Sequence, residues 1–132
     1  QVLDALEWSA RMLPGSSGGF LQVSGLSYAV DLSVPHGCIA DEQGMCLGIE
    51  GARRVHGVMV GGRPIEEDAV YTVAGPDYVL ARKGDGMTAF DGAVLLRSEG
   101  GIDACVANAL ESLVPGGLAL PSVRDRITLI GG

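Results

Sequence analysis

Apolar residues recur at helical spacing at the start of the chain. Val2, Leu3, Leu6, Ala10 and Leu13 share one side, Asp4, Glu7 and Arg11 the other, and Pro14-Gly15 closes the element. The spacing predicts an amphipathic helix packed on a sheet, with Trp8 a packing residue at the border of its apolar stripe. Beyond Gly18-Gly19, Leu21-Gln22-Val23 reads as a short strand that stops at Ser24-Gly25. The period then becomes two: Leu26, Tyr28, Val30 and Leu32 alternate with Ser27, Ala29, Asp31 and Ser33, as in a half-buried strand. From Val34 to Gly51 the pattern dissolves, which predicts a surface loop containing a short hairpin. Arg53 to Val60 reads as a strand returning through Gly61-Gly62 into Arg63-Pro64-Ile65, a second hairpin.

Tyr71-Thr72-Val73-Ala74 alternates again and runs through Gly75-Pro76-Asp77-Tyr78 into a Gly84-Asp85-Gly86 turn, an arrangement that delivers polar and aromatic groups to a sheet edge. Ala93 to Leu96 is a further strand candidate. Ile102, Cys105, Val106, Ala109, Leu110 and Leu113 mark a second amphipathic helix, with Cys105 as a small core residue, and Pro115-Gly116-Gly117 stops it. Arg126 to Ile130 is the closing strand. Two amphipathic helices against several mixed strands make an α+β domain rather than a regularly alternating one.

Composition adds limits to that picture. A chain of 132 residues with 47% hydrophobic content and 21 glycines fits a single domain with an aliphatic core and many turns. No apolar run approaches the roughly 20 residues of a membrane span. A net charge of −7 argues against a nucleic-acid surface, which needs a basic patch, but a single nucleotide remains acceptable. The chain opens inside a helical pattern and reads as a piece of a longer protein, so its lack of a signal peptide leaves the location of the parent open.

The chemistry-bearing residues are few. Gly-x-Ser-x-Gly, P-loop and dinucleotide fingerprints do not occur, and Glu66-Glu67-Asp68 reads as a solvated turn. Cys38 and Cys46 flank IADEQGM and are candidates for a disulfide closing that loop, the alternative being two half-buried free thiols. Gly84 and Gly86 leave room around the Asp85 carboxylate, and Gly18-Gly19 does the same before Phe20.

FLQVSGL, VGGRPI, YTVAGPDY, KGDGMTAF and RDRITLI resemble, in order and spacing, the C-terminal domain of the 5'-nucleotidase and UDP-sugar hydrolase family. The resemblance implies a mixed sheet with helices that holds the nucleoside, while a divalent metal pair in a separate N-terminal metallophosphoesterase domain does the chemistry. The metal motifs of that domain, Asp-x-His and Gly-Asn-His, are absent from this sequence, so the chain by itself is expected to be inactive and to carry no cofactor.

By the same resemblance, Phe20 and Tyr78 sandwich the base, Asp85 accepts hydrogen bonds from the ribose hydroxyls, and Gly84 and Gly86 let the sugar approach. Without it, Phe20 and Tyr78 read as strand-end core residues and Asp85 as a cap of its own turn. Lys83 stands where the family has a glycine, Met87 where it has an aromatic residue, and Pro76-Asp77 where an asparagine precedes the aromatic. The implied setting is periplasmic or extracellular nucleotide catabolism, with a homodimer through an uncovered sheet edge as a further expectation. Two rivals stand beside it: a binding or scaffold module of the same fold, and a domain of a relative that hydrolyses another phosphoester or a sulfur ester.

Overall fold

The computed structural model describes residues 1–98, 100–113 and 126–132, without the side chain of residue 113. By contacts the chain falls into two compact units, Gln1–Asp91 with Arg124–Gly132, and Gly92–Val123. The larger unit holds helix α1 (Val2–Ala10), strands β1 (Leu26–Asp31), β2 (Cys38–Ala40), β3 (Cys46–Ile49), β4 (Val55–Val60) and β5 (Arg63–Pro64), the single-turn helix α2 (Asp77–Leu80) and the closing strand β6 (Ile127–Ile130). The smaller holds helix α3 (Ile102–Leu113). The class is α+β, as the periodicities predict.

The strands pair as a sheet of order β5-β4-β1-β6 and a separate β2-β3 hairpin. β1 lies antiparallel to β4, Leu26 facing Val60, and parallel to β6, Tyr28 facing Ile127. Tyr28 and Val30 point to one face, where they meet Leu6 and Ala10 of α1 together with Val55 and Val58. On its other side α1 meets the hairpin: Ala5 and Trp8 pack with Cys46 and Met87, flanked by Leu21, Cys38, Ile49 and Val79. Helix α1 is therefore a middle layer, and residues Ala5 to Ala10 are all buried.

This corrects the polar side assigned to Glu7. Its side chain is fully buried, and its carboxylate accepts the backbone N–H groups of Arg54 and Val55, both at 2.9 Å. Those donors open β4, so the carboxylate ties the helix to the sheet while avoiding the cost of an unsatisfied buried polar group. Arg54 answers from the other direction, giving its guanidinium to the carbonyls of Ala10 (3.2 Å), Leu13 (3.0 Å) and Val34 (3.1 Å). It thereby satisfies carbonyls left open at the helix end. The Tyr28 hydroxyl is buried beneath α1 beside Ser9, whose own hydroxyl donates to the Leu6 carbonyl at 3.1 Å. Burial pushes the Tyr28 phenol up to about 12, more than Ser9 offsets.

Three expected strands are absent. Leu21–Val23 is irregular, because its side chains divide between the two cores instead of alternating over one sheet. Tyr71–Ala74 is irregular and mostly exposed, and it pairs with no strand among the described residues. Period two permits a strand, but a backbone ladder is what makes one. Ala93–Leu96 is likewise irregular and exposed. Cys105, expected in a core, is exposed on α3 and its thiol points to the Gly100 carbonyl. The expected stop at Pro115-Gly116-Gly117 lies outside the described residues.

Candidate functional site

The Gly84–Gly86 segment is a tight 3-10 turn in which the middle residue stands outward. Gly84 and Gly86 are buried while Asp85 is exposed, and Asp85 itself takes a left-handed conformation at φ 54°. A short polar residue tolerates that region better than most, at a cost of about 1 kcal/mol or more that its surroundings must offset. The offset comes from behind. The indole Nε1–H of Trp8 donates to the Asp85 carbonyl at 2.8 Å, and Arg11 adds a longer contact at 3.4 Å. Gly86, at φ +75°, sits against the Gly44 carbonyl, and a Cβ there would lie 2.9 Å from the Trp8 ring, so only glycine fits. Thr88 continues the attachment, donating to the Cys46 carbonyl at 2.7 Å.

Tyr78 arrives differently from the strand end expected for it. It lies on α2, which follows Pro76 as its N-cap, and the residue is 52% exposed. The ring rests directly on Gly84, where any Cβ would fall among its atoms. Its hydroxyl meets the turn through two long hydrogen bonds, donating to Asp85 Oδ1 at 3.4 Å and accepting the Asp85 N–H at 3.3 Å.

Phe20 is half-buried and packs on the sheet-side core. It belongs to the same neighbourhood through Gly19, whose missing Cβ would stand 3.0–3.2 Å from the Asp85 side chain. Thus Tyr78, Gly84, Asp85 and Gly86 form one cluster, Gly19 closes it, and Phe20 follows next in the chain. The pattern of residues alone missed Trp8, Glu7 and Arg11. A buried tryptophan needs a partner for its N–H, and Ala5, Ser9 and Ala10 around it are small enough for a helix enclosed on two sides. Those were the available signals.

The disulfide candidate is corrected: Cys38 and Cys46 are free thiols. In the hairpin Cys38 faces Ile49 and Cys46 faces Ala40, so the two cysteines are diagonal neighbours. Diagonal separations of about 7–8 Å exceed what a disulfide usually spans. Burial, with the Glu7 carboxylate adding to it, pushes the Cys38 thiol up to about 11, so it stays protonated at neutral pH. Lys83 pairs with Asp91 at 2.7 Å on the surface.

Among the described residues no three His, Cys, Asp or Glu side chains converge as a metal site would require. A shallow groove of about 240 Å³ lies elsewhere, lined by Gly25, Leu26, Ser27, Met59, Gly62 and Arg126, and the Arg126 guanidinium is already given to the Val23 carbonyl. None of the described helices is long and apolar enough to cross a membrane.

The family model described as 5'-nucleotidase, C-terminal domain matches residues 1–92, which include α1, Phe20, Tyr78 and the whole Asp85 turn. The chain belongs to this family. The closing RDRITLI segment lies beyond the matched residues. No curated protein and no solved structure matched the chain. The family is the C-terminal domain of 5'-nucleotidases.

Proposed function

We propose that the chain is the nucleoside-recognition part of a metal-dependent 5'-nucleotidase-like phosphoester hydrolase acting in nucleotide catabolism in the periplasm or outside the cell. The observation that carries this reading is Asp85, an exposed carboxylate held between two buried glycines with an exposed aromatic ring beside it. A carboxylate is a two-oxygen acceptor suited to the vicinal hydroxyls of ribose, and charge assistance strengthens such bonds. The Tyr78 face is open for a base and Phe20 is the second aromatic, while Gly84 and Gly86 let the turn pack closely against Tyr78, Gly44 and Trp8 and so present Asp85 outward. Phosphoester cleavage belongs to the metal pair of the N-terminal domain, and this domain supplies placement.

Calorimetric titration with adenosine and 2'-deoxyadenosine tests the reading. Adenosine binds more tightly, and Asp85→Asn removes most of that preference. Absence of binding heat with adenosine would refute it. One observation favours the rival scaffold module: the Tyr78 hydroxyl already occupies an Asp85 oxygen. At 3.4 Å that bond is weak enough for a ribose hydroxyl to displace, and the same titration separates the two.

A further inference from the structure

We propose that Trp8 and Arg11 are positioning residues for the Asp85 carboxylate, and that the indole of Trp8 reports directly on occupancy of the site. The inference rests on the nucleoside-recognition reading and adds the part of the molecule that makes it selective for ribose.

Both contacts land on one atom, the backbone carbonyl oxygen of Asp85: Trp8 Nε1–H at 2.8 Å and Arg11 Nη2–H at 3.4 Å. A carbonyl held in place fixes the peptide plane that follows its residue, and with φ already set at 54° the direction of the Asp85 Cα–Cβ bond follows. Arg11 acts as a clip. Its Nη1–H donates to the Trp8 carbonyl at 2.8 Å, and its guanidinium carbon stacks 4.0 Å from the centre of the indole. Stacking of a cation on the indole face leaves the ring edge, with its N–H, turned to the loop. The indole is in turn held in the core with Ala5, Cys46 and Met87. The chain of support thus runs from a packed core through one ring edge to the backbone of the recognition residue, touching no ligand atom. Arranged this way, the contacts act on ligand discrimination more than on global stability, because each bonds the very residue that reads the sugar.

Trp8 is the only tryptophan of the chain. A ¹⁵N-labelled sample therefore gives one indole N–H cross-peak, and its hydrogen bond to Asp85 makes that peak sensitive to any shift of the turn. The experiment titrates wild-type protein with adenosine and with 2'-deoxyadenosine while following this cross-peak, and repeats the titrations with Trp8→Phe and Arg11→Ala. The cross-peak moves with adenosine. Trp8→Phe keeps a ring but loses the donor; it weakens adenosine binding about fivefold, the worth of one ordinary hydrogen bond, and lowers the adenosine to deoxyadenosine preference, and Arg11→Ala lowers the same preference by a smaller factor.

Three results would overturn the proposal. If adenosine does not bind the wild type, the recognition reading fails and this inference falls with it. If adenosine binds and the indole cross-peak stays still, the inference alone fails, whatever the variants do. If both variants lose affinity equally for the two nucleosides, the contacts are structural and set no direction for the carboxylate.

Discussion

The Asp85 cluster is built from two arms that are held in opposite ways. The carboxylate arm, Gly84–Gly86, is fixed through its backbone: α1 grips the Asp85 carbonyl, the hairpin meets Gly86, and both glycines are buried. The aromatic arm leading to Tyr78 is almost free of such attachments. Residues 66–70 and 72–78 are exposed, α2 is a single turn without a side-chain cap, and its Asp77–Arg82 ion pair at 2.7 Å is itself solvent-exposed. The difference fits the proposed role: hydrogen bonds to a sugar demand direction, which a fixed carboxylate arm would provide, whereas stacking tolerates sliding and tilting of the ring.

The largest effect is expected where the carboxylate arm meets its support. Gly86→Ala must put a Cβ at φ +75° into the Gly44 carbonyl and the Trp8 ring. Backbone against backbone has no easy escape, and a loss of about 3 kcal/mol is expected in urea denaturation. Gly84→Ala is the contrasting substitution, because its clash is with the Tyr78 ring, an exposed side chain able to swing away. It should cost under about 1 kcal/mol of stability yet impair adenosine binding. Equal destabilisation by both would show that the arms are equally rigid.

Alkaline pH loosens the support itself. Tyr28 lies on the sheet side of α1 and Cys38 on the hairpin side, and burial raises both, to about 12 and about 11. In the unfolded chain they titrate near their ordinary values of 10.0 and 9.0. Above those values the unfolded state gives up protons that the native state keeps, so stability is intact below pH 9 and falls progressively towards pH 12. The Tyr28 part alone amounts to about 2 kcal/mol. Melting curves from pH 8 to 11 check this, and Tyr28→Phe flattens the decline. A decline unchanged in that variant would exclude Tyr28 as its source.

Tyr78→Ala comes next. On the aromatic arm it removes a half-exposed ring, so stability should change by less than about 0.5 kcal/mol, while nucleoside binding weakens by about 1–3 kcal/mol. A melting temperature that falls along with the affinity would mean that the ring supports the fold.

How far the residues alone disclose this arrangement differs between the arms. The Gly84-Asp85-Gly86 turn was legible because glycine encodes backbone freedom locally, and α1 and β1 were legible because their apolar residues recur at a helical and an alternating period. Glu7 was misassigned since a helical period assumes one packed side, and α1 has two. The Trp8 to Asp85 bond spans 77 positions of sequence, and no local pattern encodes such a contact. Tyr71–Ala74 failed for the related reason that alternation describes a strand without supplying its partner.

The smallest effect is expected at Lys83, which joins the two arms. It adopts a left-handed conformation at φ 57° and pairs with Asp91 across the surface, both side chains about half exposed. Lys83→Gly relieves backbone strain of about 1 kcal/mol, but glycine loses more freedom on folding, by roughly 0.5–1 kcal/mol. An exposed ion pair adds little to either side, between about 0 and 1 kcal/mol. The terms nearly cancel, so the urea midpoint should shift by the equivalent of less than about 0.5 kcal/mol in either direction. Adenosine affinity should also hold, because the Asp85 carbonyl keeps its Trp8 and Arg11 donors whatever residue precedes Gly84. A variant that is stable but no longer binds would show that the Lys83–Asp91 pair, rather than α1, sets the orientation of the turn, and the assignment of the rigid arm to Trp8 would have to be abandoned.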